Sequence, residues 1–95
     1  MTPAPKLTEQ QARAIAEQGL RLRNISYDEK TGLRARFDGL STEVLGRKGE
    51  EIMLWTVSYL TAPNSFGFDQ EMFFVDIDDS TAEILYIIGP REYIE

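Results

Sequence analysis

The chain contains neither cysteine nor histidine, and both absences restrict what its 95 residues can do. Without cysteine it can build neither a disulfide framework nor a thiolate metal cluster, so ordinary packing must hold the fold together. Without histidine it lacks the commonest general base and transition-metal ligand, and any nucleophile lacks its usual partner. Only carboxylates, lysine and tyrosine remain for chemistry, so we predict a protein that is not an enzyme and uses no cofactor.

Long apolar runs are also missing. No segment approaches the length needed to cross a bilayer, and the start MTPAPKLTEQ lacks the charged and apolar regions of a secretory signal. We therefore expect a soluble cytoplasmic protein with no membrane partner. The length and the 42% hydrophobic content fit one domain over residues 1–95, in which residues 1–6 are expected to form a disordered tail.

Charge is distributed unevenly along the chain, whose net charge is −6. Residues 1–48 carry nine Lys or Arg against six Asp or Glu, whereas residues 49–95 carry one basic residue against ten acids. Because summed surface charge steers encounters, the acidic second half disfavours nucleic acid and favours a basic protein partner. Solubility alone is the simpler explanation of the same charge.

The segment KLTEQQARAIAEQGLRL predicts a helix over about residues 9–18. Thr8 and Gln11 have the spacing of a capping box at its start. Small and apolar residues recur at helical spacing and suit a close approach to a sheet: Ala12, Ile15, Ala16 and Gly19. Gly19 also fits the left-handed position that ends helices, so we expect the helix to stop there.

Strand patterns occupy the rest of the chain. Apolar residues on either side of the turn DEKTG predict a first hairpin: Leu22, Ile25 and Tyr27 before it, and Leu33, Ala35 and Phe37 after it. EIMLWTVSYLT is the strongest strand pattern and predicts a central strand, with Ile52, Leu54, Thr56, Ser58 and Leu60 on one face and Met53, Trp55, Val57 and Tyr59 on the other. Two more strands are expected at about residues 71–78 and 82–88. The sequence thus predicts an α+β domain with one N-terminal helix packed on a four- to five-stranded antiparallel sheet.

Four carboxylates lie between two apolar runs in FFVDIDDSTAEILYIIGP: Asp76, Asp78, Asp79 and Glu83. An EF-hand loop beginning at Asp76 fails, because Thr81 stands where glycine is required and Ile87 where the bidentate glutamate belongs. We predict a hairpin turn that binds no metal, with a looser site built from Asp76, Asp78 and Glu83 as the alternative.

The same turn pattern occurs twice. DEKTGL at Asp28 and DDSTAE at Asp78 share Asp-x-x-Thr followed by a small residue. In short hairpin connections the position after the threonine often has a positive φ, which suits Gly32 and strains Ala82. Two copies favour a local structural cause over a ligand site.

Two other groups of side chains are candidate contact residues. Four arginines are expected near Tyr27 and Phe37 on one face of the first hairpin: Arg21, Arg23, Arg34 and Arg36. Such a face can bind single-stranded nucleic acid, but the overall charge favours a solvated face paired with acids. Phe66 and Phe68 lie in a loop over residues 62–70, where they either anchor a partner or pack into the core.

Three segments resemble one protein family: WTVSY at residues 55–59, FFVDIDDSTAEIL at 73–85 and GPREYI at 89–94. They are similar to the YrhB-like family of small bacterial immunity proteins, in which a Trp-bearing strand precedes an apolar strand, an Asp-x-x-Thr-Gly-Glu turn, a further strand and a terminal Glu-Tyr-Ile-like segment. Ala82 stands where that turn has glycine. The helix LTEQQARAIAEQ with the last hairpin is also similar to PepSY-type domains, exported modules associated with peptidase inhibition.

The first resemblance implies a protein that binds and neutralises a cognate toxin by occluding it. We expect six residues to contact this partner, the acids by charge and the aromatics as anchors: Asp76, Asp78, Asp79, Glu83, Phe66 and Phe68. The alternatives are a PepSY-like inhibitory module and a structural subunit that forms a homodimer through a strand edge or the 62–70 loop. A small enzyme or ligand carrier would need a deep pocket lined by carboxylates.

Overall fold

A computed structural model describes residues 5–42, 49–62 and 70–89. Its elements are α1 (Glu9–Leu22), β1 (Arg34–Ser41), β2 (Ile52–Leu60), β3 (Met72–Asp78) and β4 (Ile84–Ile88). All neighbouring strands are antiparallel and follow chain order across one sheet. The predicted α+β arrangement is confirmed with four strands in the described residues.

The start of α1 matches the prediction. The Gln11 amide donates to Thr8 Oγ1 at 3.1 Å, and the Thr8 amide donates to Gln11 Oε1 at 2.9 Å. These reciprocal bonds form the capping box and satisfy two backbone donors that a helix N-terminus leaves without partners.

The end of α1 differs from the prediction. The helix continues past Gly19 to Leu22, and Asn24 adopts the left-handed conformation with φ 56°. The Ile25 amide donates to the Leu20 carbonyl at 2.9 Å and the Asn24 amide to the Arg21 carbonyl at 3.1 Å, which is the bonding of a Schellman motif. The predicted end at residue 18 was wrong because asparagine, which also tolerates this conformation, takes the role assigned to glycine.

Gly19 has a packing role inside the helix. It is buried, and a Cβ added there would lie 2.1 Å from Cδ1 of Ile84. Glycine therefore lets α1 approach β4 closely, which agrees with the prediction that the small face of the helix lies on the sheet.

The core lies between α1 and one face of the sheet. It is formed by ten buried residues: Ala12, Ala16, Leu20, Trp55, Val57, Tyr59, Phe73, Val75, Ile77 and Ile87. β2 lies between β1 and β3, as the alternation predicted. Because side chains alternate across a strand, the intervening residues of β2 and β3 point away from α1.

The predicted first hairpin was wrong. Residues 25–27 do not pair with β1; instead Tyr27 forms an isolated antiparallel bridge with Thr61. The Asp28 amide donates to the Leu60 carbonyl at 2.9 Å. Since β1 begins to pair with β2 only at Arg34, the end of β2 is left to pair with the segment that follows the helix.

Candidate functional site

The six predicted contact residues lie in different places. Asp76, Asp78 and Asp79 are buried, at 8%, 5% and 3% exposure, while Glu83 is exposed. Phe66 and Phe68 lie outside the described residues, as do residues 1–4 of the predicted disordered tail. The structure therefore does not gather the four acids on one solvent-facing surface.

Asp79 joins three parts of the fold. Its carboxylate accepts the amides of Lys6 at 2.7 Å and Leu7 at 2.9 Å, and the indole N–H of Trp55 at 2.9 Å. Burial raises the pKa of Asp79, but the hydrogen bonds from Lys6, Leu7 and Trp55 and the Lys6 charge outweigh it, so the pKa is lowered. This carboxylate connects the segment before α1 to β2. The segment includes Lys6, which the sequence analysis assigned to the disordered tail.

Asp78 and Asp28 organise two similar turns. Asp78 Oδ1 accepts the Ser80 amide at 2.8 Å, and its carbonyl accepts the Ala82 amide at 2.8 Å. In the other turn, Asp28 Oδ1 accepts the Lys30 amide at 3.1 Å and its carbonyl accepts the amide of the glycine after Thr31 at 3.0 Å.

The residue after the threonine has a positive φ in both turns, 74° at Gly32 and 61° at Ala82. The shared turn pattern is therefore confirmed. Among the described residues, no three acidic side chains converge in a way that could hold a metal ion.

Asp76 lies on the sheet face opposite α1, between two strands. The register aligns Thr56 and Tyr86 beside it, and Thr56 Oγ1 lies 3.2 Å from Asp76 Oδ1. Burial raises the pKa of Asp76, and the nearby Asp38 charge adds to this; hydrogen bonds from Tyr86 and Thr56 and the charge of Arg36 oppose the rise without cancelling it.

We call this side of the sheet the open face. It comprises nine side chains of the four strands: Arg34, Arg36, Thr56, Ser58, Leu60, Met72, Phe74, Asp76 and Ile88. Ile52, Leu54 and Tyr86 also point away from α1, where they form a second buried cluster. Met72 is 46% exposed and Phe74 is 37% exposed, although both belong to the interior strand β3. Large apolar side chains of an inner strand are normally covered, so their exposure marks this face as a candidate contact surface.

A shallow pocket of about 190 Å³ lies on the open face, lined by Arg34, Ala35, Arg36, Thr56, Ser58 and Phe74. The register places Arg34 beside Ser58 and Ser58 beside Phe74 in one row across three strands. In the next row, Arg36 pairs with Thr56 and also donates from Nε to Asp38 at 2.7 Å. The pocket thus combines guanidinium and hydroxyl donors with an aromatic ring.

Glu83 contributes to a different surface. It lines a groove of about 370 Å³ between the end of α1 and the last hairpin, next to Leu22, which is 75% exposed. The four predicted arginines are also separated: Arg21 lies in α1, where it pairs with Glu17, while Arg34 and Arg36 belong to β1.

Sequence reasoning did not select Ser58, Met72 or Phe74. A signal for them was present, because Thr56 and Ser58 alternate with large apolar residues in a strand predicted to be central. Two polar residues in succession on one face of an inner strand indicate that this part of the face is not fully covered. The exposure of Phe74, in contrast, follows no sequence pattern.

No family model matches the chain, and neither a curated protein nor a solved structure matches it. The fold and the surface geometry define the class of the protein as a small α+β domain in which α1 covers one sheet face, while the other face exposes Met72 and Phe74 and buries Ile52, Leu54 and Tyr86. Within the described residues, no helix has the length and apolar character needed to span a bilayer.

Proposed function

We propose that the protein is a non-catalytic binding protein of the immunity type, which neutralises a cognate toxin by occluding it with the open face. The observation that carries the proposal is the exposure of Phe74 and Met72 on the interior strand β3 of a sheet whose other face is packed by α1. A sheet is a rigid platform, and aromatic, methionine and arginine side chains are enriched at protein interfaces. The resemblance to immunity proteins suggests the kind of partner.

Net charge and local surface chemistry act at different ranges in this proposal. The net charge of −6 attracts a basic partner from a distance, over about one Debye length. At contact, the apolar and arginine side chains of the open face determine complementarity. Glu83 and the other predicted acids add to the long-range attraction.

Measured binding of the protein encoded by the neighbouring gene tests the proposal. Replacing Phe74 with threonine keeps a good strand former and removes the ring, and we expect affinity to fall at least tenfold with little change in melting temperature. Leu22→Ser is the matched control, because Leu22 is an exposed apolar residue of α1, which packs on the opposite face of the sheet. Raising the salt concentration should slow association with a basic partner.

Two results would count against the proposal. Binding that survives Phe74→Thr but is lost in Leu22→Ser would move the contact to the groove at the end of α1. Growth of cells expressing the neighbouring protein should be restored by the wild type, so a failure to protect them would exclude the immunity role.

A second candidate is self-association through β4. This edge strand, ILYII, has no charged residue, whereas the other edge strand carries Arg34, Arg36 and Asp38. Charged side chains discourage pairing between sheet edges, so β4 is the edge better suited to a second copy. A molecular mass that rises with concentration in light scattering, and falls again in Leu85→Lys, would support this candidate.

A further inference from the structure

We propose that the pocket on the open face binds a carboxylate side chain of the partner protein. The carboxylate bonds to the guanidinium of Arg34 and the hydroxyl of Ser58, and its aliphatic stem lies against Phe74. This inference rests on the proposed function and names the chemistry that the open face recognises.

The three residues occupy one row of the sheet. Arg34 of β1 pairs with Ser58 of β2, which pairs with Phe74 of β3. Side chains directly opposite on one face have Cβ atoms about 4.5–5.5 Å apart. A charged donor, a neutral donor and an apolar ring therefore stand side by side around a pocket of about 190 Å³, which suits one side chain.

The hydrogen bonds within the protein show which donors of the pocket have no acceptor among the described residues. Arg36 donates from Nε to Asp38 in an ion pair that compensates its charge, while its other N–H groups have no acceptor among the described residues. Thr56 has a single hydroxyl proton, yet its oxygen lies within hydrogen-bond distance of both Asp38 and Asp76, so this proton is taken up inside the protein. The neighbouring row of the pocket contains a guanidinium whose charge is not compensated by an ion pair among the described residues, together with one hydroxyl donor.

Those donors belong to Arg34 and Ser58. Within residues 5–42, 49–62 and 70–89, neither side chain has a hydrogen-bond or ion-pair partner, and Arg34 is exposed. A guanidinium offers five N–H donors and no acceptor, and its planar geometry matches a carboxylate in a two-bond arrangement. The pocket therefore presents donors and calls for an acceptor that carries negative charge.

A protein carboxylate fits this site better than a nucleic-acid phosphate. The C-terminal half carries ten acids against one basic residue, and a nucleic-acid backbone would be repelled by this charge along its length. A single acidic side chain meets only the local field of the pocket. Phe74 also offers an apolar contact to the methylene groups of a glutamate, which a phosphate lacks.

The first experiment uses a small probe and needs no partner. We expect N-acetyl-Glu-Leu-amide to shift the backbone NMR signals of Ser58, Phe74 and β1, with a millimolar dissociation constant as befits one ion pair. The matched probe N-acetyl-Gln-Leu-amide should produce no comparable shift, and the glutamate response should disappear in Arg34→Gln. An equal response to both probes, or none up to roughly 50 mM, would overturn the proposal.

The second experiment uses the complex with the neighbouring protein. Arg34→Gln should weaken binding about tenfold or more, as expected for loss of a charge-assisted hydrogen bond. Arg34→Lys should restore only part of it because the two-bond geometry is lost. Arg13→Gln is the control, since Arg13 is exposed on α1, on the other side of the sheet, and should bind as the wild type does.

The outcomes separate this inference from the proposed function. If Phe74→Thr weakens the complex and Arg34→Gln does not, the open face binds the partner without contacting an acidic side chain of that partner. The carboxylate inference then fails while the proposed function stands. If neither variant weakens the complex, the proposed function fails as well. Binding of a single-stranded oligonucleotide that depends on Arg34 would overturn the choice of a protein carboxylate.

Discussion

Ala82 is the clearest place to test the link between sequence and backbone conformation. It adopts a φ of 61°, while Gly32 at the equivalent position of the other turn adopts 74°. In this left-handed region the Cβ of an L-residue crowds the following carbonyl oxygen, and glycine has no such contact. Ala82→Gly should therefore stabilise the protein.

The size of the gain follows from two opposing terms. The left-handed conformation costs a non-glycine residue about 1–2 kcal/mol. Glycine loses about 0.4–1 kcal/mol more backbone entropy on folding than alanine does. The midpoints of these two ranges give a net gain of about 0.8 kcal/mol, which corresponds to a rise of about 3–6 °C in Tm for a domain of this size. The Ala82 methyl group is exposed, so its removal sacrifices little packing.

Urea unfolding and thermal melts measure this change, with two variants as controls. Gly32→Ala should lose about 0.5–1 kcal/mol through the same two terms, since no atom lies within 4 Å of the Cβ it would add. Ala14→Gly lies on the exposed side of α1 and should lose about 0.5–1 kcal/mol, which shows that glycine is not stabilising in general. A Tm that falls or stays constant in Ala82→Gly, while Gly32→Ala is destabilised, would refute the reasoning.

The remaining predictions concern pH dependence and packing. Because the pKa of Asp79 is lowered, ionised Asp79 stabilises the fold above the unfolded-state pKa, and this stabilisation is lost as the pH falls through the folded-state pKa. Asp79→Asn should lower the free energy of unfolding by about 1–3 kcal/mol at neutral pH and by less in acid. Asp76 has a raised pKa, so the wild type loses stability as the pH rises through the folded-state pKa of Asp76. Asp76→Asn should therefore gain stability relative to the wild type as the pH rises. Urea unfolding across a pH series checks both signs, and a stability difference between variant and wild type that does not change with pH would contradict them. Gly89→Ala would place a Cβ 2.6 Å from the buried ring of Phe73, so we expect a loss of about 1–3 kcal/mol in the same assay, and an unchanged stability would show that the ring can move.

Features governed by near neighbours in the chain were predictable. Thr8 and Gln11 form the capping box, and both Asp-x-x-Thr turns have the expected positive φ. The apolar and β-favouring residues on both faces of EIMLWTVSYLT also marked an inner strand. For the capping box and the turns, the determining contacts lie within a few residues, so the local pattern contains the cause; for the strand, residue type and the two-residue period were enough.

Features that depend on distant contacts were not predictable in the same way. Glycine is a residue type that often ends helices, yet Gly19 instead allows close packing against Ile84, which is far along the chain. Tyr27 alternates properly for a hairpin, but the free end of β2 at Thr61 is its partner. A pattern limited to one segment does not show which other segment lies against it.

The candidate site shows the same division most plainly. The sequence alone determined the α+β class, the two turns and the restriction to carboxylate, lysine and tyrosine chemistry, because residue types and short spacings decide these properties. Only the tertiary structure decided that Asp78 and Asp79 are buried supports of the fold and that Phe74 is exposed in the same row as Arg34, with Ser58 between them. Burial depends on what packs around each side chain: α1 covers the face that contains Phe73, whereas Phe74 points away from α1.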